Sequence, residues 1–173
     1  MRFAAVQRKS FANSAARLNL WHGPVRSGKS IASSDRFVDF IQREQQTGEF
    51  YLIGKTVHAI KRNIIGPMQE RLGDDMHYFS GKGEIKLWDR LIYVVGANDS
   101  KSEGKIRGST SAGTYIDEAS LLPEDMFRMA LSRMSVPGAK LFATTNPDGP
   151  RHWLKRDFID RAEELKMKVF LDP

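Results

Sequence analysis

Short compact apolar runs alternate with longer stretches in which apolar residues recur every three or four positions. The segment from Arg2 to Arg17 reads as helical. Leu18-Asn19-Leu20-Trp21-His22 alternates like a strand, and after a polar, glycine-bearing interruption Ile31, Val38 and Ile41 share one face of a helix reaching about Gln45, with Phe37 beside them. Thr47-Gly48 breaks that helix, and Phe50 to Gly54 forms a second strand. Thr56 is placed to cap a helix carrying Ile60, Ile64 and Ile65, which breaks at Gly66-Pro67. Between Tyr78 and Val95 the period changes to two. Glu84 to Trp88 and Leu91 to Val95 flank a turn at Asp89-Arg90, which predicts a β-hairpin or meander. Gly96 to Gly113 lacks periodicity and reads as a long loop. Gly113 to Ile116 is a short strand, Pro123 opens a helix with Phe127, Leu131 and Met134 on its apolar side, and Lys140 to Thr145 is another strand. A turn cluster at Asn146 to Pro150, an amphipathic helix from Arg151 to Glu164 and a last strand within Leu165 to Asp172 complete the chain. Repeated strand–helix alternation predicts an α/β fold, with a mostly parallel sheet covered by helices on both faces.

Composition narrows the function classes. The 173 residues are 40% hydrophobic and 28% charged, enough for one domain with a real core. Leu91 to Val95, the longest purely apolar run, is far too short to cross a bilayer, and no apolar signal core follows the basic N-terminal residues. The absence of cysteine excludes disulfides, thiolate zinc sites and cysteine nucleophiles. The four histidines have no metal-ligand spacing and read as structural or surface residues. A net charge of +6 favours a polyanionic partner such as nucleic acid.

The interruption after the first strand carries the chemistry. Gly23-Pro24-Val25-Arg26-Ser27-Gly28-Lys29-Ser30 fits G-x-x-x-x-G-K-[ST] at every fixed position, between a strand and a helix as that pattern requires. Backbone N–H groups of such a loop wrap nucleotide phosphates. Lys29 reaches the outer phosphates, and the Ser30 hydroxyl helps to hold Mg²⁺. Gly54-Lys55-Thr56 also reads G-K-[ST] but lacks the earlier glycine and follows a strand directly, so it is a strand exit and helix cap.

Hydrolysis needs more than a phosphate loop. Asp117-Glu118 follows a strand, at the edge where open α/β sheets bind ligands. Asp117 is the expected Mg²⁺ ligand, through water, and Glu118 the group that polarises the attacking water. Thr144-Thr145-Asn146 ends the next strand and reads as a sensor of the γ-phosphate. Arg26, inside the loop, and Arg107, on the long polar segment ten residues before Asp117, are candidates for stabilising transition-state charge, in cis and from a neighbouring subunit respectively, with Arg133 in reserve.

Taken in order, these motifs resemble the N-terminal ATPase domain of phage terminase large subunits, the motors that pump DNA into viral capsids. Asn19 to Ser30 is similar to that family's Walker A region, with its arginine inside the loop, and Gln7, fourteen residues before Trp21, falls where such proteins carry an adenine-contacting glutamine. Lys105-Ile106-Arg107-Gly108 followed by Tyr115-Ile116-Asp117-Glu118-Ala119 resembles the Walker B neighbourhood, and Ala143 to Pro147 the coupling motif. The resemblance implies a three-layer P-loop fold of the ASCE type, ATP and Mg²⁺ as ligands, and double-stranded DNA as the translocated substrate. It also implies a portal protein and a small terminase subunit as partners, self-assembly into a ring, and a place in the host cell cytoplasm. Residues 1–173 would form the ATPase domain, with the RNase H-like nuclease domain of the family outside this chain, so ATP hydrolysis without DNA cleavage is expected. Lys55, Lys61, Arg62, Arg151, Lys155 and Arg156 are the expected DNA contacts. A helicase-like ATPase, a P-loop kinase or a nucleotide-binding scaffold remain as alternatives. The acidic pair argues for water as nucleophile and so against a kinase, and intact Lys29, Ser30, Asp117 and Glu118 argue against a silent scaffold.

Overall fold

A computed structural model describes residues 5–24, 27–43, 47–146 and 149–171. Val25, Arg26, Gln45, Pro147 and Asp148 therefore lie outside the described residues. Among the described residues, eight strands make one sheet: β1 (Leu18–His22), β2 (Glu49–Gly54), β3 (Met76–Phe79), β4 (Glu84–Leu87), β5 (Arg90–Gly96), β6 (Ser111–Ile116), β7 (Lys140–Thr145) and β8 (Lys168–Leu171). Their order is β3-β4-β5-β2-β6-β7-β1-β8. From β5 to β8 all neighbours are parallel, whereas β3, β4 and β5 form an antiparallel meander. β7 lies between β1 and β6, so the ends of the phosphate-loop strand and the Asp117 strand are separated by one strand.

The inner parallel strands are apolar on both sides because both faces are covered. Leu52 and Phe50 point to one face with Trp21, Tyr115 and Phe142, beneath α2 (Lys29–Arg43) and a helical run made of α3 (Val57–Ile60), a π-helical turn (Lys61–Ile65) and α4 (Gly66–Leu72). Tyr51 and Ile53 point to the other with Leu20, Ile116 and Leu141, against α5 (Ser102–Ile106), α6 (Glu124–Ser132) and α7 (Trp153–Asp157). α1 (Ala5–Asn13) is tied to β1 by the Trp21 indole, whose N–H donates to Ser10 Oγ at 3.0 Å. Phe142 is the centre of an aromatic cluster, with Phe40, Phe37 and Trp21 ring centroids at 5.5, 6.0 and 6.4 Å. These elements are the expected three-layer α/β/α arrangement with an added hairpin.

Three sequence expectations need correction. The helix after Thr56 does not break at Gly66-Pro67 but continues through it. The Gly66 N–H donates to the Lys61 carbonyl, five residues back, and this wider turn relieves the clash between the Pro67 ring and the carbonyl four residues earlier. The segment Gly96 to Gly113 is not all loop, since it contains α5 and the start of β6. Ser111, Ala112 and Gly113 carry too little apolar surface to read as strand, and Gly113 is small because a Cβ there would sit 2.7 Å from the Phe40 ring. The helix expected over Arg151 to Glu164 is interrupted after α7, where Phe158 (φ −125°, ψ −60°) turns into the core and a 3₁₀ turn follows. Of the remaining elements, β3 is an added strand that begins at Met76, before the expected hairpin, and α1 ends at Asn13 rather than Arg17.

Truncating the centre of the aromatic cluster should be costly. Phe142→Ala is expected to lower unfolding free energy by about 3–5 kcal/mol. Urea denaturation measures it, and a loss below about 1 kcal/mol would mean that the ring does not carry the packing described.

Candidate nucleotide site at the carboxyl edge of the sheet

β1 delivers the chain to the loop, and the Gly23 N–H donates to the Thr145 carbonyl of β7 at 3.3 Å. Gly28 has φ +84°, a backbone state open to glycine, and its carbonyl accepts from Ile31 and Ala32 N–H at 3.1 Å to start α2. The Gln7 amide lies against this turn. It donates to the Ser27 carbonyl at 3.3 Å, and a Cβ added to Gly28 would come within 2.0 Å of its nitrogen. Lys29 is buried, and its ammonium donates to the Pro24 carbonyl and to Asn146 Oδ1, both at 2.8 Å. An open cavity of about 300 Å³ runs from Ser27, Gly28 and Ser30 across to Ser34, Asn63, Pro67 and Arg71. That is the lower end of the range for small-molecule pockets.

The acids arrive on the neighbouring strands. Asp117 follows β6 and is buried, with its N–H donating to the Ile53 carbonyl of β2. Its two carboxylate oxygens accept one hydrogen bond each, Oδ1 from Thr144 Oγ1 and Oδ2 from Asn63 Nδ2, both at 3.1 Å. Burial pushes this carboxyl above its ordinary value, and the nearby Glu118 charge adds to the effect. The donors from Asn63 and Thr144 and the positive Lys29 oppose them. Glu118 stands at φ +49°, ψ +59°, a left-handed conformation uncommon for a side-chain-bearing residue, which turns the chain sharply off the strand line. Its N–H donates to Thr144 Oγ1 at 3.0 Å, so one hydroxyl serves both acids. Asn146 then joins the two halves: its oxygen accepts from Lys29, and its nitrogen donates to Glu118 Oε1 at 3.5 Å. Thr145 is buried, and its hydroxyl donates to the Asn146 carbonyl at 3.2 Å.

Lys29, Asp117, Glu118 and Asn146 are thus brought together as the motif spacing suggested, and Ser30 lines the cavity. The arginines are distributed differently. Arg26 lies outside the described residues. Arg107 pairs with Glu103 at 2.5 Å on the surface and precedes Thr110, whose carbonyl accepts from Glu49 at the start of β2. Arg133 accepts at its carbonyl from Ser111, the first residue of β6. Both therefore sit at the amino edge of the sheet, about 20 Å of strand away from Asp117, and neither can serve the site of its own chain. Among the expected DNA contacts, Arg156 and Lys155 are paired with Asp157 and Asp160, whereas Lys55 and Lys61 are exposed without an ion pair among the described residues. Thr56 caps α3 by accepting from Ala59 N–H at 3.1 Å, in keeping with a strand exit and helix cap at Gly54-Lys55-Thr56. His152 bonds Leu154 N–H and the Ser120 carbonyl, a structural role.

Asn63 and Arg71 were not found from the sequence. Both lie in the helical run over the phosphate loop, on one column at four-residue spacing with Pro67 between them. The available signal was a polar Asn set directly before the apolar Ile64-Ile65 pair. Arg71 is held by Asp35 at 2.6 Å and by Ser34 at 3.1 Å, both on α2.

Residues 21–171 match the family described as terminase large subunit, T4likevirus-type, N-terminal. The chain belongs to that family. Its fold is closely similar to the large terminase of a thermophilic bacteriophage: TM-score 0.89 and 29% identity over 99% of this chain and 46% of that one. The same phage protein in complex with ATP-gamma-S gives a TM-score of 0.86 at 28% identity, covering 99% and 45%. The large terminase ATPase domain of Thermus phage P74-26 shares the fold, with TM-score 0.63 and 15% identity over 86% and 66%. No curated protein matches the chain. This terminase sequence spans a little under half the length of the first two structures it matches. Among its described residues no helix is long and apolar enough to cross a membrane.

The shared hydroxyl of Thr144 can be tested directly. Thr144→Val leaves the Glu118 N–H unpaired and Asp117 with one donor fewer, at a cost of about 1–3 kcal/mol. Thr144→Ser should retain most of the stability. Equal thermal melting of Thr144→Val and the parent protein would show that the hydroxyl does not hold the two acids.

Proposed function

We propose that this chain is the ATPase unit of a DNA-packaging motor, hydrolysing ATP to drive double-stranded DNA into a viral capsid. The observation that carries the proposal is the bridge from Lys29 through Asn146 to Glu118, which puts the phosphate-gripping lysine and the acid pair in one hydrogen-bonded unit. In this reading the backbone around Gly28 and the Lys29 ammonium hold the phosphates, and Gln7, beside the loop, contacts adenine. Glu118 orients a water and takes its proton as the water attacks the terminal phosphorus, whose bond to the bridging oxygen breaks to release ADP and phosphate. Asn146, bonded to both Lys29 and Glu118, responds to loss of that phosphate and passes the change to β7.

The residues fit magnesium. Asp117 is a buried carboxylate with its plane set by two donors, and the Ser30 hydroxyl borders the same cavity as Asn63. Magnesium bound there would draw charge from the phosphate oxygens. Two arginines are candidates for stabilising that charge: Arg26, inside the loop of the same chain, and Arg107, which lies too far from its own Asp117 and would act on a neighbour's site. A role for Arg107 requires a ring of copies as the working form, as expected of the family. Residues 1–173 then act as the ATPase domain, without cleaving DNA. The portal, the small terminase subunit and duplex DNA in the host cytoplasm complete the machine, as expected of the family. Exposed Lys55 and Lys61 and the net charge of +6 suit the duplex backbone.

Lys29→Ala should abolish tight ATP binding. Glu118→Gln should retain binding and lose turnover by about 10²-fold or more, as for loss of a general base. Steady-state ATPase assays with and without duplex DNA measure both, and unchanged turnover in Glu118→Gln would remove Glu118 from the mechanism. Mixing Arg107→Ala with Lys29→Ala protein should restore activity in shared sites. No recovery in mixed oligomers that still assemble would refute the neighbour's role of Arg107. Duplex binding should weaken steeply as salt rises, since phosphate contacts release counterions.

A further inference from the structure

We propose that Asn63 is a positioning residue for the metal carboxylate: its side-chain amide fixes the plane of Asp117, and the π-helical turn is the device that holds the amide in place. The proposal rests on the assignment of Asp117 to magnesium made above.

A carboxylate with one donor can turn about its last torsion, and that freedom is lost when each oxygen is held from a different element. Thr144 on β7 holds Oδ1, and Asn63 on the π-helical turn holds Oδ2. The amide of Asn63 is itself oriented at its other end. Its Oδ1 accepts from the Arg62 guanidinium at 3.2 Å, so the oxygen faces a cation and the nitrogen faces the carboxylate. The turn beneath it is built for one placement. Ile60, Ile64 and Met68 recur at four-residue spacing and are buried in the core, which locks the rotation of the helical run. Asn63, Pro67 and Arg71 form the next column and line the cavity beside Ser30. The Gly66-to-Lys61 hydrogen bond widens the backbone where Pro67 would otherwise crowd the Asn63 carbonyl. Single π-turns inside helices are frequent at functional sites, and losing a group that orients a metal-binding side chain typically costs about 10–100-fold in metal affinity.

A purely structural asparagine would satisfy a buried carboxylate and alter stability alone. A positioning residue alters the cation requirement. The experiment uses this chain with Asn63→Ala and Asn63→Leu, the second being of similar size but unable to hydrogen-bond. Four quantities are measured: thermal melting, ADP affinity in EDTA, Mn²⁺ affinity in the presence of ADP by electron paramagnetic resonance, and the Mg²⁺ concentration giving half-maximal ATP turnover. Mn²⁺ affinity is expected to fall about 10-fold or more in both variants. The Mg²⁺ requirement should rise in parallel, and metal-free ADP affinity should stay within about twofold of the parent. Unchanged Mn²⁺ affinity, whatever happens to melting, overturns the proposal, as does loss of metal-free ADP affinity by the same factor. If neither variant folds, Asn63 is structural and the proposal fails. A parent protein that takes up Mn²⁺ with ADP but never turns over ATP would refute hydrolysis while leaving Asn63 to be judged by the Mn²⁺ measurement. A parent that takes up no Mn²⁺ sinks the proposal at once.

Discussion

A negative charge buried at the end of a strand is the constraint around which this terminase site is organised. Asp117 is removed from water, and a carboxylate in that position needs a donor on each oxygen or it takes up a proton. The donors cannot come from its own strand, whose backbone groups are used by β2 and β7. They come from Thr144 on the adjacent strand and from Asn63 in the helical run packed over the sheet. The charge therefore ties three elements together, and their relative placement becomes part of the site.

The strand order makes this possible. With β7 between β1 and β6, its last residues lie between the phosphate loop and the acid pair. Thr144 faces one acid and supports the backbone of the other, and Asn146 spans from the lysine to Glu118. Residue alternation along β7 sends Leu141 and Ala143 to one face and Phe142 to the other, so the same strand carries core packing on both faces up to the point where its tip becomes polar. The left-handed turn at Glu118 is the local cost of aiming two consecutive acids at one place.

Much of the fold was legible because buried parallel strands are continuous apolar runs and the connecting helices are amphipathic. Phe50 to Gly54 and Lys140 to Thr145 stand out for that reason. β6 was found only in part, because its first half is Ser111-Ala112-Gly113, small residues that carry little apolar surface, with Gly113 required by the close approach of the Phe40 and Phe50 rings. The apparent stop at Gly66-Pro67 misled because proline ends an α-helix but not a helix that has already widened into a π-turn. In the site, the phosphate loop and acid pair were legible because each is contiguous in the chain. Asn63 was not, since a single asparagine in a helix has no local mark of what it faces.

The sequence alone determined the layer architecture, the glycine-dependent loop before α2 and the identity of the acids, since these follow from periodicity and from chemistry confined to neighbouring residues. Only the tertiary structure decided that Thr144, Asn146 and Asn63 meet those groups, that Arg107 and Arg133 stand at the far edge of the sheet, and that Arg71 borders the cavity. The reason is physical: hydrogen bonds and distances between residues dozens of positions apart depend on strand order and helix rotation, and these are set by the packing of the whole core.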